Sequence, residues 1–224
     1  MVALSNKNIV LIVFASSLFV LQINAEQEHD DMCRLVRDVL CVKDVLMIIA
    51  MTTRSMERTI NKTQVDIAGR IGNNDTANRY VKYQVGNIDS QLPTPKYHTH
   101  FFQLNNINKK YLVHLFSEAH DAMSFYYNTI QDILNVSDTS STNDLKDIQN
   151  ILNKMICQYR SVLHVYFHGW TTIDRIKSVE FSKISSHISQ TFLNDAHSMI
   201  IIDILRTWMD KIHSVIHNIE AKYF

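Results

Sequence analysis

Residues that make tight turns are scarce in this chain: four glycines and two prolines in 224 residues. Barrels and sandwiches need both at their many corners, so the shortage argues against them and favours long helices. Three cysteines close at most one bridge, which excludes a scaffold held by several disulfides. Lys plus Arg equals Asp plus Glu at 22 each, so no global basic field exists to hold a nucleic-acid backbone, and no nucleic-acid partner is expected. Glycines this few and scattered build no P-loop, no Rossmann fingerprint and no Gly-x-Ser-x-Gly elbow. There is no His-Glu-x-x-His. His114 and His120, with Glu118 between, have the wrong spacing for two ligands on one helical face. His164/His168 and His213/His217 have i,i+4 spacing but lack a third ligand. The reading is of a protein that is not an enzyme and takes no metal and no cofactor.

What the chain does have begins at its N-terminus. Residues 1–8 carry Lys7 as their one charge, residues 9–21 are almost wholly apolar, and Ile23-Asn24-Ala25 precedes the polar Glu26-Gln27-Glu28. This is the order of a secretory signal peptide with a small residue at the cut. The apolar run falls short of the roughly 20 residues a membrane span requires. Later in the chain the apolar residues 199–205 are interrupted by Asp203, so no membrane insertion is expected. A signal peptide over 1–25 and a secreted, extracellular domain over 26–224 follow. Three sequons, at Asn61, Asn74 and Asn135, agree with export and are expected to carry glycan, each at a helix end or in a loop.

Four stretches repeat apolar residues at three- and four-residue steps, the mark of helices with one buried face. Over about 30–60 the stripe is Leu35, Val39, Val42, Leu46, Ile49, Thr53, Met56, Ile60. Over about 100–134 it is Leu112, Leu115, Ala119, Ala122, Tyr126, Thr129, Ile133. Residues 142–169 give Leu145, Ile148, Leu152, Met155, Tyr159, Val162, Tyr166, and residues 191–223 give Ile201, Leu205, Trp208, Ile212, Val215, Ile219. Ser141-x-x-Asp144 reads as a capping box and Gly169 as a helix stop.

The connections carry more information than the helices. They read as long (61–99), short (135–141) and long (170–190). Short links join antiparallel neighbours, whereas a long link can run the full length and start the next helix parallel to the last. The expected fold is therefore all-α: a long-chain four-helix bundle with up-up-down-down topology and two long crossover loops. Cys33 and Cys41 sit eight residues apart on one helix, roughly 12 Å by rise and too far to bond each other. In that topology Cys41 and Cys157 stand at matching heights, which predicts the disulfide Cys41–Cys157, with Cys33 as the alternative partner.

The fourth helix carries the most specific pattern. Phe192-Leu193-Asn194-Asp195 is followed by Ile201-Ile202, Leu205-Arg206-Thr207-Trp208 and Ile212-His213. It resembles the last helix of the interleukin-6-type cytokines, in the branch of ciliary neurotrophic factor and leukaemia inhibitory factor. A composition low in Pro, Gly and Leu and rich in Asn, Ile and Lys is closer to an invertebrate relative, similar to the unpaired-type ligands of the Domeless receptor. The resemblance implies a monomeric ligand that gathers class I cytokine receptor chains and activates Janus kinases and STAT factors. The family's Phe-x-x-Lys, which engages a receptor's immunoglobulin-like domain, falls on Phe192 and on Asp195, where the charge is reversed.

Under this reading Trp208 is a core anchor and Phe192 an exposed hot spot or a cover over the core. Arg34, Arg37 and Asp38 of the first helix and Arg160 of the third are exposed charges of a second receptor face. Lys211 and Lys222, with Lys96 and Tyr97 of the first connection, make a third face by family analogy. The alternative function is a secreted helical carrier of small apolar molecules. A secreted interaction or venom-type protein without signalling is a third.

Overall fold

The computed structural model describes residues 42–72, 75–136, 142–166, 173–182 and 189–223. Every regular element among them is helical. Four are long: α1 (Val42–Ile71), α4 (Lys109–Val136), α5 (Thr142–Tyr166) and α6 (Gln190–Tyr223). Between α1 and α4 lie α2 (Asp75–Ile88) and the single-turn α3 (Lys96–His100). 3-10 turns follow at Asp89–Gln91, Phe101–Gln103 and, after α5, Ile173–Arg175.

The long helices form because their apolar stripes meet. Leu46, Ile49, Thr53, Met56 and Ile60 of α1 are buried, as are Leu115, Ala119, Ala122, Tyr126, Thr129 and Ile133 of α4. So are Leu145, Ile148, Leu152, Met155, Tyr159 and Val162 of α5, and the whole α6 stripe from Ile201 to Ile219. α1 packs on α5 and α6, and α4 packs on the same two helices. Cross-helix bonds give the senses. From α1 to α6, Glu57 meets His213, Gln64 meets Asp203 and Arg70 meets Asp195, so the pair is antiparallel. Thr52 meets Gln158 and Lys62 meets Asp144, which makes α1 and α5 antiparallel. His120 meets Arg160 and Gln131 meets Gln149, which makes α4 and α5 antiparallel.

The structure moves several expected boundaries. α1 does not end at Ile60. Its stripe continues through the buried Thr63 and Ile67 and stops at Gly72, whose φ of 69° admits the left-handed turn and whose N–H donates to the Ala68 carbonyl at 3.0 Å. Asn61 therefore lies in mid-helix, exposed, not at a helix end. The first connection is largely helical. α2 buries Ala77, Tyr80, Gln84 and Ile88 on one face, a stripe masked in the sequence by its central glutamine. The second long helix begins at Lys109 and not near residue 100, because Asn108 Oδ1 accepts the Tyr111 N–H at 2.8 Å and fixes the start. Asp144, expected in a capping box, instead holds Lys62 Nζ at 3.0 Å; Ser141 lies outside the described residues, as does Gly169. α6 opens at a true cap, the Ser189 hydroxyl accepting the Phe192 N–H at 3.2 Å.

Candidate receptor-contact surfaces

The start of α6 is built from two residues with opposite fates. Phe192 is half-buried, edge-on to Tyr80 of α2 with ring centroids 6.0 Å apart. Asp195 is 4% exposed and accepts a two-pronged bond from Arg70, Nε to Oδ2 at 3.1 Å and Nη2 to Oδ1 at 3.0 Å. The reading of Asp195 as a receptor contact is corrected here: a carboxylate carried on the buried side of α6 is occupied by the last turn of α1. Phe192 keeps its exposed part.

Arg160 is corrected in the same way. It is 7% exposed, so it is no part of an exposed face. Its Nε donates to His120 Nε2 at 3.2 Å, and its Nη2 finds no partner among the described residues. Burial pulls the guanidinium below its ordinary range, while Asp174 of the second long connection counters that by charge. His120, fully buried, is held neutral: burial lowers its pKa, Asp121 opposes this from Nδ1 at 2.9 Å, and the Arg160 charge adds to the lowering. Arg34 and Arg37 lie outside the described residues. On α1 the exposed residues at helical spacing are Met47, Met51, Arg54 and Arg58.

Part of the third expected face is described: Lys96, Tyr97 and Lys211 lie where α3 meets α6, whereas the side chain of Lys222 lies outside the described residues. The Trp208 indole N–H donates to the Pro93 carbonyl at 3.2 Å, and its ring lies edge-to-face with His98 at 5.5 Å; the residue is 3% exposed. Lys211 Nζ reaches Thr99 Oγ1 at 3.5 Å. Behind them Glu118 accepts the Tyr97 and His98 backbone N–H groups at 2.9 and 3.1 Å and His98 Nδ1 at 2.7 Å. Burial alone would raise the Glu118 pKa, but these donors together outweigh it and hold the carboxyl low, so it is ionised. Lys96 is exposed.

Of the sequons, Asn61 is exposed on α1 and Asn135 is exposed in the last turn of α4, whereas Asn74 lies outside the described residues. Cys157 is buried on α5; Cys33 and Cys41 lie outside the described residues. His213 is engaged by Glu57 at 3.1 Å, and among the described residues no group of three or more His, Cys, Asp or Glu could hold a metal. No helix among them is long and apolar enough to cross a membrane.

A junction that sequence reasoning missed lies between the two long connections. The Gln84 amide is fixed by Ser182, giving Nε2 to the Ser182 carbonyl at 3.0 Å and taking the Ser182 N–H on Oε1 at 3.2 Å. Gln84 Nε2 also donates to the Tyr80 hydroxyl at 3.2 Å, which leaves that O–H to donate to His197 Nε2 at 2.6 Å. His197 stacks on Phe181 with centroids 3.8 Å apart, and burial pushes its pKa down to about 4. The signal was present as a 3.6-residue repeat over α2, but with a polar residue at its centre it did not read as a stripe. Beside this junction a groove of about 370 Å³ is lined by Asn128, Gln131, Asp132, Lys177, Ser178 and Glu180 along with Ile176.

Compared with protein-family models, curated proteins and solved structures, the chain matches none.

Proposed function

We propose that the chain is a secreted, monomeric cytokine-like ligand of the interleukin-6 type that engages class I cytokine receptor chains and drives JAK/STAT signalling. The observation that carries this reading is the sense of the long helices. α1 opposes both α5 and α6, and α4 opposes α5. The cross-helix bonds thus support a four-helix bundle in which α1 and α4 point one way and α5 and α6 the other. A chain that starts two successive helices in the same direction needs lengthwise connections, and the two long ones are bonded to each other through Gln84 and Ser182. Export by the N-terminal signal, glycan at Asn61 and Asn135, and a Cys41–Cys157 disulfide belong to the same reading.

Its receptor contacts are Phe192, the α1 face with Met47, Met51, Arg54 and Arg58, and the face at Lys211 and Lys96; Arg34 and Arg37 remain proposed contacts from the sequence alone. Exposed methionine beside arginine is the composition of adaptable, partner-binding surfaces. The carrier alternative draws less support, because the groove beside Asn128 is lined largely by polar side chains.

The test is to add the purified glycoprotein to cells carrying a STAT reporter and candidate receptors. Signalling by the native chain, lost in Phe192→Ala with helicity retained, is the expected result. A chain silent with every receptor, and carrying lipid in native mass spectrometry, would reverse the choice between ligand and carrier.

A further inference from the structure

Between Asp89 and Glu118 the chain carries no acidic residue, although the whole sequence has as many acids as bases. Within that stretch fall Lys96, Lys109 and Lys110, with His98, His100 and His114. The fold gathers part of this set onto one face. Tyr97 stacks on His114 with centroids 5.0 Å apart and meets Tyr111 edge-on at 5.6 Å, while His100 approaches Tyr111 at 6.3 Å. The Tyr111 hydroxyl donates to the Tyr97 carbonyl at 2.6 Å, which locks α3 onto α4. Lys110 precedes His114 by one helical turn, so the two share a side of α4. Lys211 joins from α6 through Thr99.

Among the described residues, the acids nearest this face in sequence are turned elsewhere. Glu118 is turned inward and satisfied by His98 and two backbone amides. Asp121 is engaged by His120. Asp210 adjoins Lys211 in sequence but lies about 100° round the helix from it.

We propose that this face, Lys96, His100, Lys110, His114 and Lys211 around Tyr97 and Tyr111, binds a sulfated glycosaminoglycan. The inference rests on the reading of the chain as secreted, which sets it before polysaccharide rather than nucleic acid. No arginine occurs between Arg79 and Arg160, so the face has none of the planar forks that recognise individual carboxylates on a protein. Lysines are mobile point charges. They suit a flexible chain whose sulfates repeat at every few sugars, and clusters of them are the common footprint of heparin-type ligands.

The experiment is heparin-affinity chromatography of the purified full-length secreted chain at neutral pH, with chemically desulfated heparin as competitor. The native chain is retained at 0.15 M salt or above (about physiological ionic strength), and sulfated but not desulfated heparin releases it. The triple variant Lys96→Gln, Lys110→Gln, Lys211→Gln binds about 100-fold more weakly, at roughly fivefold per lysine. A charge-matched control, Lys82→Gln, Lys146→Gln, Lys154→Gln, alters exposed lysines elsewhere and keeps its retention. Equal loss in both variants would reduce the effect to net charge and overturn the site. Passage of the native chain through the resin would overturn the ligand; if the triple variant then lost STAT signalling, the face would belong to an acidic receptor surface. Competition on the unaltered chain needs no variant to fold, and a STAT result of either sign leaves the heparin result standing on its own.

Discussion

Gln84 grips the backbone of Ser182 with both edges of its amide, and a second glutamine repeats the arrangement two residues away: Gln91 Oε1 accepts the Glu180 N–H at 2.8 Å and its Nε2 donates to the Glu180 carbonyl at 3.2 Å. Two side chains from the first long connection thus hydrogen-bond the backbone of Glu180 and Ser182 in the second. From the other side Thr129 Oγ1 accepts the Val179 N–H at 3.1 Å, and Asn128 Nδ2 donates to the Ile173 and Ile176 carbonyls. A segment that crosses a helical bundle has no strand to pair with, and its backbone groups still require partners. Amide side chains supply them.

Gln84→Ala removes a buried group that serves Ser182 twice and Tyr80 once. A loss of about 2 kcal/mol is expected, with fast hydrogen exchange at the Ser182 amide. Gln91→Ala, at an exposed position, should free the Glu180 amide to exchange while costing no more than about 1 kcal/mol. Exchange rates unchanged at both amides would show that the clamps do not hold the segment.

Protonation of His197 should loosen the same junction. Its nitrogen accepts the Tyr80 hydroxyl, and its pKa, lowered by burial to about 4, lies below the ordinary histidine value. The unfolded chain therefore binds this proton first. The stabilisation is fully present above about pH 6.5 and is lost as pH falls from there through 4, at most about 3 kcal/mol in all. His120, with Asp121 and Arg160 beside it, acts with the same sign. Urea unfolding followed from pH 8 to pH 4 should show His197→Gln with a flatter dependence than the native chain; an equal slope would remove His197 from the account.

Asp195→Lys reverses the charge at the start of α6, on the side that Arg70 occupies. The new ammonium would face Arg70 with little access to water, and loss of 3 kcal/mol or more is expected, roughly the cost of breaking a buried pair. Charge reversal of both partners, Arg70→Asp with Asp195→Lys, should recover part of it. A stable single variant with gained receptor affinity would contradict the inward placement of this side chain.

Arg160→Ala should fail as a surface substitution. It strips His120 Nε2 of its donor at a site closed to solvent and leaves the volume of the buried guanidinium empty, costing about 2 kcal/mol. Thermal unfolding measures it. A neutral effect on stability joined to lost signalling would return Arg160 to a receptor face.

Much of the helical core was legible because it rests on one-dimensional periodicity. Ile49, Met56, Leu152, Leu205 and Trp208 recur at steps that leave no alternative to a one-sided helix, and each is buried. The ends of helices were read less well. Ile67 lies beyond Ile60, where the stripe was read to end, and the start of α4 is set by the single side chain of Asn108. α2 was not legible as a helix, since Gln84 is buried for hydrogen-bonding reasons that its sequence neighbours do not announce.

The sequence by itself determined the all-helical class and which faces are apolar, since helix formation and amphipathicity depend on residues within a few turns of one another. Only the tertiary structure decided the fate of the polar residues. Asp195 and Arg160 look like surface charges until Arg70 and His120, 125 and 40 positions away, turn them inward. A charge is exposed or buried according to what lies opposite it, and that partner comes from a distant part of the chain.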